Sequence, residues 1–311
     1  MNERTEIMIG ANGKIAGEYL DYLELKGIPS VAVYPTGDGE NFRKYSCVKS
    51  AIKQDLRDNN LGELEQAIMS EKNPRIIYLA VEKRMSGDIS FNDHFVVNAL
   101  PVKKLADLIS ERKIPLLYAS SDMVLAGNKG DFSENSVPEE PFGKYGISKF
   151  IGEQHALNYP YGKVIRLGNV LGTKGDFLSF VVKTIKEGGN PKVWTNVYNR
   201  FTGINEVCMV FNKLANYSGK QKVFHVASNN QPMSREEISE RTLDLLVDRG
   251  IIPKDSFKKL CKVEHDFRDG RPRVLSLNTD ITSHELGYRP TSIMCSILEK
   301  IDERESDYLR F

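Results

Sequence analysis

What most limits the fold of this chain is a series of short apolar runs that start or stop at glycine or proline and alternate with stretches of helical spacing. Ile7-Met8-Ile9 stops at Gly10, and Val31-Ala32-Val33-Tyr34 stops at Pro35. Ile76-Ile77-Tyr78-Leu79-Ala80 follows Pro74, Leu116-Leu117-Tyr118-Ala119 follows Pro115, and Val164-Ile165-Arg166-Leu167 stops at Gly168. Val223-Phe224-His225-Val226 comes later. Runs this short and this apolar fit strands buried on both faces. Between them, Tyr19, Leu20 and Leu23, and again Val102, Leu105, Ala106 and Ile109, recur near helical spacing. Alternating strand and helix predicts an α/β fold, a doubly wound parallel sheet with helices on both faces. Pro101 falls inside one helical pattern and predicts a break there, since proline costs about 3 kcal/mol in a helix interior. The alternation loosens after Gly172. The expected division is a main domain over 1–171 plus 204–230 and a smaller lobe over 172–203 plus 231–311.

Composition narrows the function classes. Lys plus Arg number 43 and Asp plus Glu 42 in 311 residues, a net charge of +1. That balance lacks the basic surplus of a nucleic-acid binder. Mean hydropathy is -0.38, and no apolar run approaches the ~20 residues of a membrane span. The start, Met1-Asn2-Glu3-Arg4-Thr5-Glu6, is too polar for a signal peptide. Cys47, Cys208, Cys261 and Cys295 are far apart, as are the histidines, so neither a metal site nor a disulfide framework is expected. A reducing, cytoplasmic setting fits that cysteine usage.

The chemistry begins at Gly10-Ala11-Asn12-Gly13-Lys14-Ile15-Ala16-Gly17, directly after the first apolar run. Gly10 and Gly13 would let the backbone approach a pyrophosphate while the next helix points its amides at the charge, and Ala16 or Gly17 would allow close helix–strand packing. An ordinary glycine turn has the same residues; the position at the start of the first βα unit favours a dinucleotide. An NAD site would end its second strand in an acid for the ribose. Here Val33-Tyr34-Pro35-Thr36 has none before Asp38, and Arg43 and Lys44 follow. That leans toward NADP, with NAD the alternative. Tyr145 and Lys149 stand four apart, so a helix brings them to one face. An ammonium beside a phenol would lower its pKa from ~10 and ready it for proton transfer. Ser120-Ser121, just past the run at 116–119, supplies a hydroxyl at the carboxyl edge of the sheet.

Together these residues resemble an extended short-chain dehydrogenase/reductase over nearly the whole chain. Gly10-Ala-Asn-Gly13, Ser121 and the Tyr145–Lys149 pair occur in that family's order and approximate spacing. Within it the chain is most similar to the dTDP-4-dehydrorhamnose reductase group. The similarity is carried by Tyr118-Ala-Ser-Ser-Asp122-Met-Val-Leu-Ala-Gly127, by Pro141-Phe-Gly-Lys-Tyr145-Gly-Ile-Ser-Lys149-Phe-Ile-Gly-Glu153, and by Arg271-Pro272-Arg273, Leu277-Asn278-Thr279 and Leu286-Gly287-Tyr288-Arg289-Pro290. The resemblance implies a Rossmann domain, a smaller substrate lobe and a catalytic set of Ser121, Tyr145, Lys149 and Asn98, the last holding a water relay behind the lysine. It also implies cofactor contacts from Gly10, Asn12, Gly13, Lys14, Ile15, Asp55, Leu56, Ala80, Tyr145 and Lys149, with Asp55-Leu56 meeting the adenine. Substrate contacts are implied for Asp122, Met123, Asn169, Arg200 and Arg271, and the segment Arg166-Leu-Gly-Asn169 matches substrate-contacting positions.

The implied activity is NAD(P)-dependent reduction of a 4-keto nucleotide-linked deoxysugar, by a chain that would work as a homodimer. Four departures from the group stand out. Ile9 precedes the first glycine where Thr is usual, Ala16 takes the third glycine position, Met123 replaces a Tyr near the substrate, and Glu82-Lys83-Arg84 follows Ala80. The last two keep open a sugar-nucleotide epimerase with tightly bound NAD, or a non-catalytic NADP-binding regulatory subunit of the kind this group supplies to eukaryotic methionine adenosyltransferase.

Overall fold

The computed structural model of the chain describes residues 4–303 other than 59, 60, 86, 126 and 128. The first three residues, Ala126 of the Tyr118–Gly127 segment and the end of the expected lobe beyond 303 lie outside that set. In chain order the first elements are β1 (Thr5–Ile9), α1 (Lys14–Lys26), β2 (Ser30–Tyr34), β3 (Val48–Lys53), α2 (Gly62–Ser70) and β4 (Pro74–Tyr78). Then come α3 (Phe91–Asn98), α4 (Leu100–Ile109), β5 (Leu116–Ser121), α5 (Gly143–Asn158) and β6 (Gly162–Leu167). They are followed by β7 (Val170–Leu171), α6 (Phe177–Lys186), β8 (Lys192–Trp194), β9 (Tyr198–Asn199), β10 (Thr202–Gly203), α7 (Ile204–Ala215) and β11 (Val223–Val226). The last are β12 (Met233–Ser234), α8 (Arg235–Asp248), β13 (Cys261–Val263), β14 (Val274–Leu275), α9 (Asp280–Leu286) and α10 (Ile293–Glu303).

The chain divides into two compact units. The first holds Met1–Val124, Pro141–Arg166 and Ser218–Phe224; the second holds Leu125–Glu140, Leu167–Tyr217 and His225–Phe311. This differs from the division expected from sequence, because 125–140 and α7 go with the second unit. Periodicity cannot show that: an α7 stripe of Val207, Val210, Phe211 and Leu214 would suit either core.

The sheet has seven strands in the order β11-β6-β5-β4-β1-β2-β3. β1 pairs in parallel with β2 and β4, β2 with β3, and β4 with β5. This is the doubly wound arrangement expected, with the order turning back at β1, so ligands belong at the carboxyl ends on either side of it. β1, β2, β4 and β5 are buried along their whole length, which is why they read as unbroken apolar runs. Ile7, Ile9, Val31, Ile76, Leu105, Leu116 and Val164 join in one core. β3 escapes that reading because it is the edge strand, mostly exposed and flanked by Lys49 and Lys53.

Local signals set the helix ends. Gly13 caps α1, and Gly27 ends it at φ 61°. Ser90 and Asp93 form a capping box at the start of α3. The break expected at Pro101 is present: Ala99 (φ -127°, ψ -58°) separates α3 from α4, and Pro101 falls in the first turn of α4, where its missing N–H costs nothing. The second unit has its own core of Leu178, Val181, Phe201, Leu243 and Ile297.

One buried charge cluster fixes the amino edge of the sheet. Arg75 on β4 grips the fully buried Glu6 of β1 twice, at 2.8 and 2.7 Å, and Arg4 adds a contact at 2.7 Å. Removing one partner of a buried pair leaves an uncompensated charge. Arg75→Leu should therefore destabilise the protein by about 3 kcal/mol, and Glu6→Leu/Arg75→Leu should recover much of it. Urea denaturation of the three proteins checks this; an unchanged midpoint for Arg75→Leu would show that the pair carries no stability.

Candidate active site

The carboxyl ends of β1, β2, β3 and β4 enclose a cavity of about 280 Å³, lined by Ile9, Gly10, Asn12, Gly13, Val33, Pro35, Asp55, Leu56, Ala80 and Val97 among others. Gly10 is the tight point. Its φ is +90°, and a Cβ there would lie 2.6 Å from the Ala80 nitrogen and 2.7 Å from the Ala80 Cα. Only glycine tolerates both that torsion and that approach. Gly13 opens α1 from an extended conformation with no side-chain cap, so the helix begins directly at the glycine turn. Of the two candidates for close packing, Ala16 is buried, whereas nothing lies within 4 Å of a Cβ on Gly17. The turn fits a dinucleotide, with Gly10, Asn12, Gly13, Asp55, Leu56 and Ala80 on the wall as expected. Lys14 and Ile15 begin α1 and are not on it.

The proposed catalytic residues stand at the end of β5 and the start of α5, in the same unit. Ser121 ends β5 and Tyr145 stands in the first turn of α5, near enough for the Ser121 hydroxyl to act on the phenol's titration. Ser121 Oγ donates to Asp122 at 3.0 Å and accepts the Met123 amide at 3.2 Å. Burial pushes the Tyr145 phenol up to about 12; the Ser121 hydroxyl opposes the rise and the Asp122 carboxylate adds to it. Lys149 is buried, donates to the Ala119 carbonyl at 2.6 Å and lies 4.1 Å from the centre of the Tyr118 ring. Burial lowers its pKa to about 7, against the pull of Glu153. The structure thus departs from expectation: Lys149 points its ammonium at Ala119 and Tyr118, and the phenol is raised, not lowered.

The side chain of Asn98 is held by direct hydrogen bonds. Its Oδ1 accepts the Glu82 amide at 2.9 Å, and its Nδ2 donates to the Glu82 carbonyl and to Ser148 Oγ, both at 2.9 Å. Ser148 in turn donates to the Tyr145 carbonyl at 2.7 Å, and Tyr118 donates to the Asn98 carbonyl at 2.7 Å. His94, unremarked in the sequence, donates from Nδ1 to the Glu82 carbonyl (3.1 Å) and meets the Tyr145 ring edge-on at 6.2 Å.

Comparison with known proteins follows from this geometry. A family model described as the RmlD substrate binding domain matches residues 5–292. The chain belongs to that family. Its sheet has the Rossmann order, and the Tyr145–Lys149 pair lies on α5. A probable low-salt glycan biosynthesis reductase, Agl14 of Haloferax volcanii, is 26% identical over 199 residues, which span 61% of this chain and 64% of that protein. The structure is similar to dTDP-4-dehydrorhamnose reductase from Bacillus anthracis in complex with NADP, with a TM-score of 0.77, 18% identity, and 97% of this chain and 99% of that chain covered. It is also similar to WbmG of Bordetella bronchiseptica in complex with NAD and UDP, with a TM-score of 0.78, 18% identity, and 98% and 96% coverage.

In this RmlD-family chain the remaining expected residues divide between the units. Asp122 and Met123 belong with Ser121, whereas Asn169, Arg200 and Arg271 lie in the second unit. Asn169 accepts the Thr202 amide at 3.0 Å. Arg200 donates to the Leu277 carbonyl at 2.9 Å and stands 3.5 Å from Asp131. Arg271 lies 5.1 Å from the Trp194 ring centre, which Arg235 approaches to 4.7 Å, so Trp194 is packed between cations. Arg166 is not a substrate group: it is buried in a two-point pair with Glu153 at 2.9 and 2.9 Å. Arg43 and Lys44, the cations behind the NADP expectation, do not line the cavity; Arg43 pairs with Glu40 and Lys44 lies over Tyr45. The cations that do line it are Arg57 and Arg84. Sequence reasoning passed over Arg57 and met Arg84 only within the unusual Glu82-Lys83-Arg84 segment, although each follows a carboxylate by two residues.

Lys149 makes stability depend on pH. Its pKa falls from 10.5 in the unfolded chain to about 7 when folded. Between those values the unfolded state binds the extra proton, so stability rises with pH across that window. Thermal unfolding of wild type should therefore shift upward from pH 7 to 10, and Lys149→Met should flatten that rise. An identical slope in the variant would show that the ammonium is not buried at a cost.

Proposed function

We propose that this protein is an NAD(P)H-dependent reductase of a carbonyl on a nucleotide-linked sugar, with a 4-keto deoxysugar as the substrate class and NADPH as the first cofactor. The observation that carries the reading is the placement of Ser121 at the carboxyl end of β5 and Tyr145 in the first turn of α5, with Lys149 buried one helical turn on. Bound NADPH would supply hydride to the sugar carbonyl carbon. Gly10, Asn12, Gly13, Asp55, Leu56 and Ala80 would hold its adenosine diphosphate half, with Lys14 and Ile15 setting the helix start behind the turn. The chain's own groups manage the proton. A phenol held protonated by burial is the state that reduction needs, and Tyr145 donates that proton to the carbonyl oxygen. Ser121, fixed between Asp122 and the Met123 amide, positions the same oxygen. Lys149 holds the nicotinamide ribose, and its titration near neutrality sets the charge beside the tyrosinate left behind. Asn98 acts as a positioning residue through Ser148 and Glu82. Asp122 and Met123, next to Ser121 in the chain, are assigned to the sugar.

Incubation of purified protein with NADPH and a panel of 4-keto nucleotide sugars, followed by the reduced-nicotinamide absorbance, tests the reading. Oxidation with one member supports it. A cofactor that stays bound with no net consumption would point to an epimerase instead. Loss of a preorganised donor to the reacting oxygen costs on the order of 10²–10³ in turnover. Tyr145→Phe should therefore lower kcat at least about a hundredfold while NADPH affinity stays within about twofold of wild type. A near-normal rate in that variant sinks the assignment of the proton donor, and cofactor binding with no turnover in either protein would favour a regulatory subunit.

A further inference from the structure

We propose that Arg57 and Arg84 form a two-armed clamp on the adenine ring of the cofactor, gripping the base by their planar faces and not a phosphate by their N–H edges. The inference rests on the cofactor reading above. Arg57 follows β3 and Arg84 follows β4, and both line the one cavity. Each is fastened in the same way to a carboxylate two residues earlier. The Arg57 amide and Nε donate to Asp55 Oδ1 at 2.9 and 2.9 Å, and Nη2 donates to Oδ2 at 2.5 Å. The Arg84 amide and Nε donate to Glu82 Oε1 at 3.1 and 2.9 Å, and Nη2 donates to Oε2 at 2.7 Å. Two matched staples therefore engage the Nε–Nη2 edge of each guanidinium and fix how it is held.

Three further features favour a neutral ring. The wall between the staples is apolar, with Val33, Leu56, Ala80, Val81 and Val97. The charged lining residues are Asp55, Glu82 and Asp93 against Arg57 and Arg84, so carboxylates outnumber guanidiniums and a phosphate dianion is poorly served. The two arms also feel each other: Arg57 carries the field of Glu82, and Arg84 that of Arg57, which brings them within electrostatic reach of one another. Their side chains are 63% and 65% exposed, so they can settle on a ring without unpacking a core. A guanidinium on an aromatic face is a favourable contact that no carboxylate partner competes for.

The test is a binding titration by fluorescence or calorimetry with four probes: NADPH, NADH, adenosine 5′-diphosphate and reduced nicotinamide mononucleotide, which has no adenine. The proteins are wild type, Arg57→Ala/Arg84→Ala and Arg57→Lys/Arg84→Lys; the side chains are exposed, so the fold is not at risk. The double alanine variant should lose roughly tenfold in affinity for all three adenine-bearing probes equally and none for the mononucleotide. The lysine variant, which keeps charge but not the planar face, should lose nearly as much. Loss confined to NADPH would overturn the clamp in favour of a grip on its 2′-phosphate. Full rescue by lysine, or no loss at all, would overturn it while leaving the cofactor reading intact. Wild-type binding of adenosine 5′-diphosphate without either dinucleotide would sink the cofactor reading alone, and binding of no adenine-bearing probe would sink both.

Discussion

The arrangement of the site depends on a single buried amide. Asn98 is fully buried, and every polar group of its side chain is engaged with backbone or hydroxyl partners from two other segments. It holds the main chain of Glu82 from both sides, and through Ser148 it reaches the carbonyl of Tyr145. Its own carbonyl takes the Tyr118 hydroxyl, and the Tyr118 ring carries the Lys149 ammonium. The loop after β4, the end of α3, strand β5 and helix α5 are therefore tied at one point. A buried amide with all its partners met is rigid, and one with any partner removed leaves an expensive orphan. The staple that fixes Arg84 begins at the same Glu82, so the cavity wall and Tyr145 take their positions from one residue.

The second constraint is absence of bulk. Gly10 and Ala80 approach too closely for any side chain at position 10. Gly152 has the same function on α5, where a Cβ would collide with the Tyr118 hydroxyl and the Asn98 carbonyl. These two contacts draw β1 against β4 and α5 against β5. The first leaves room for a pyrophosphate at the turn, and the second buries Lys149 deeply enough to weaken its ammonium. The departures from the usual glycine pattern follow from this geometry. Ala16 is small enough for the helix interface it faces, and Gly17 needs no special conformational freedom because nothing crowds it.

Much of this was legible in the sequence, for physical reasons that also explain the misses. Strands buried on both faces must be apolar throughout, so β1, β2, β4, β5 and β6 announce themselves, and Gly10 and Pro101 mark a turn and a helix break that no other residue would serve as well. β3 was illegible because an exposed edge strand has no apolar pattern to show. The Tyr145 and Lys149 spacing correctly placed both on one helix, but spacing says nothing about where an ammonium points. Its direction is decided by the Ala119 carbonyl and the Tyr118 ring, which come from a strand distant in sequence. Arg166 was misread for the converse reason: an arginine beside a ligand-binding edge looks the same in sequence whether it faces solvent or, as here, a buried glutamate on the neighbouring helix.

That glutamate explains why Lys149 titrates near neutrality and is not driven further. Burial alone favours the neutral amine, and Glu153, one turn along α5, works to restore the charge. Glu153 is itself gripped by Arg166 at two points, which ties up both of its oxygens. It therefore acts on Lys149 as a partly compensated charge and not as a direct partner. Had Arg166 faced the ligand, as its position suggested, Glu153 would stand as a free anion beside Lys149 and hold the ammonium more firmly. Burial of the arginine thus leaves Lys149 able to change charge near neutral pH.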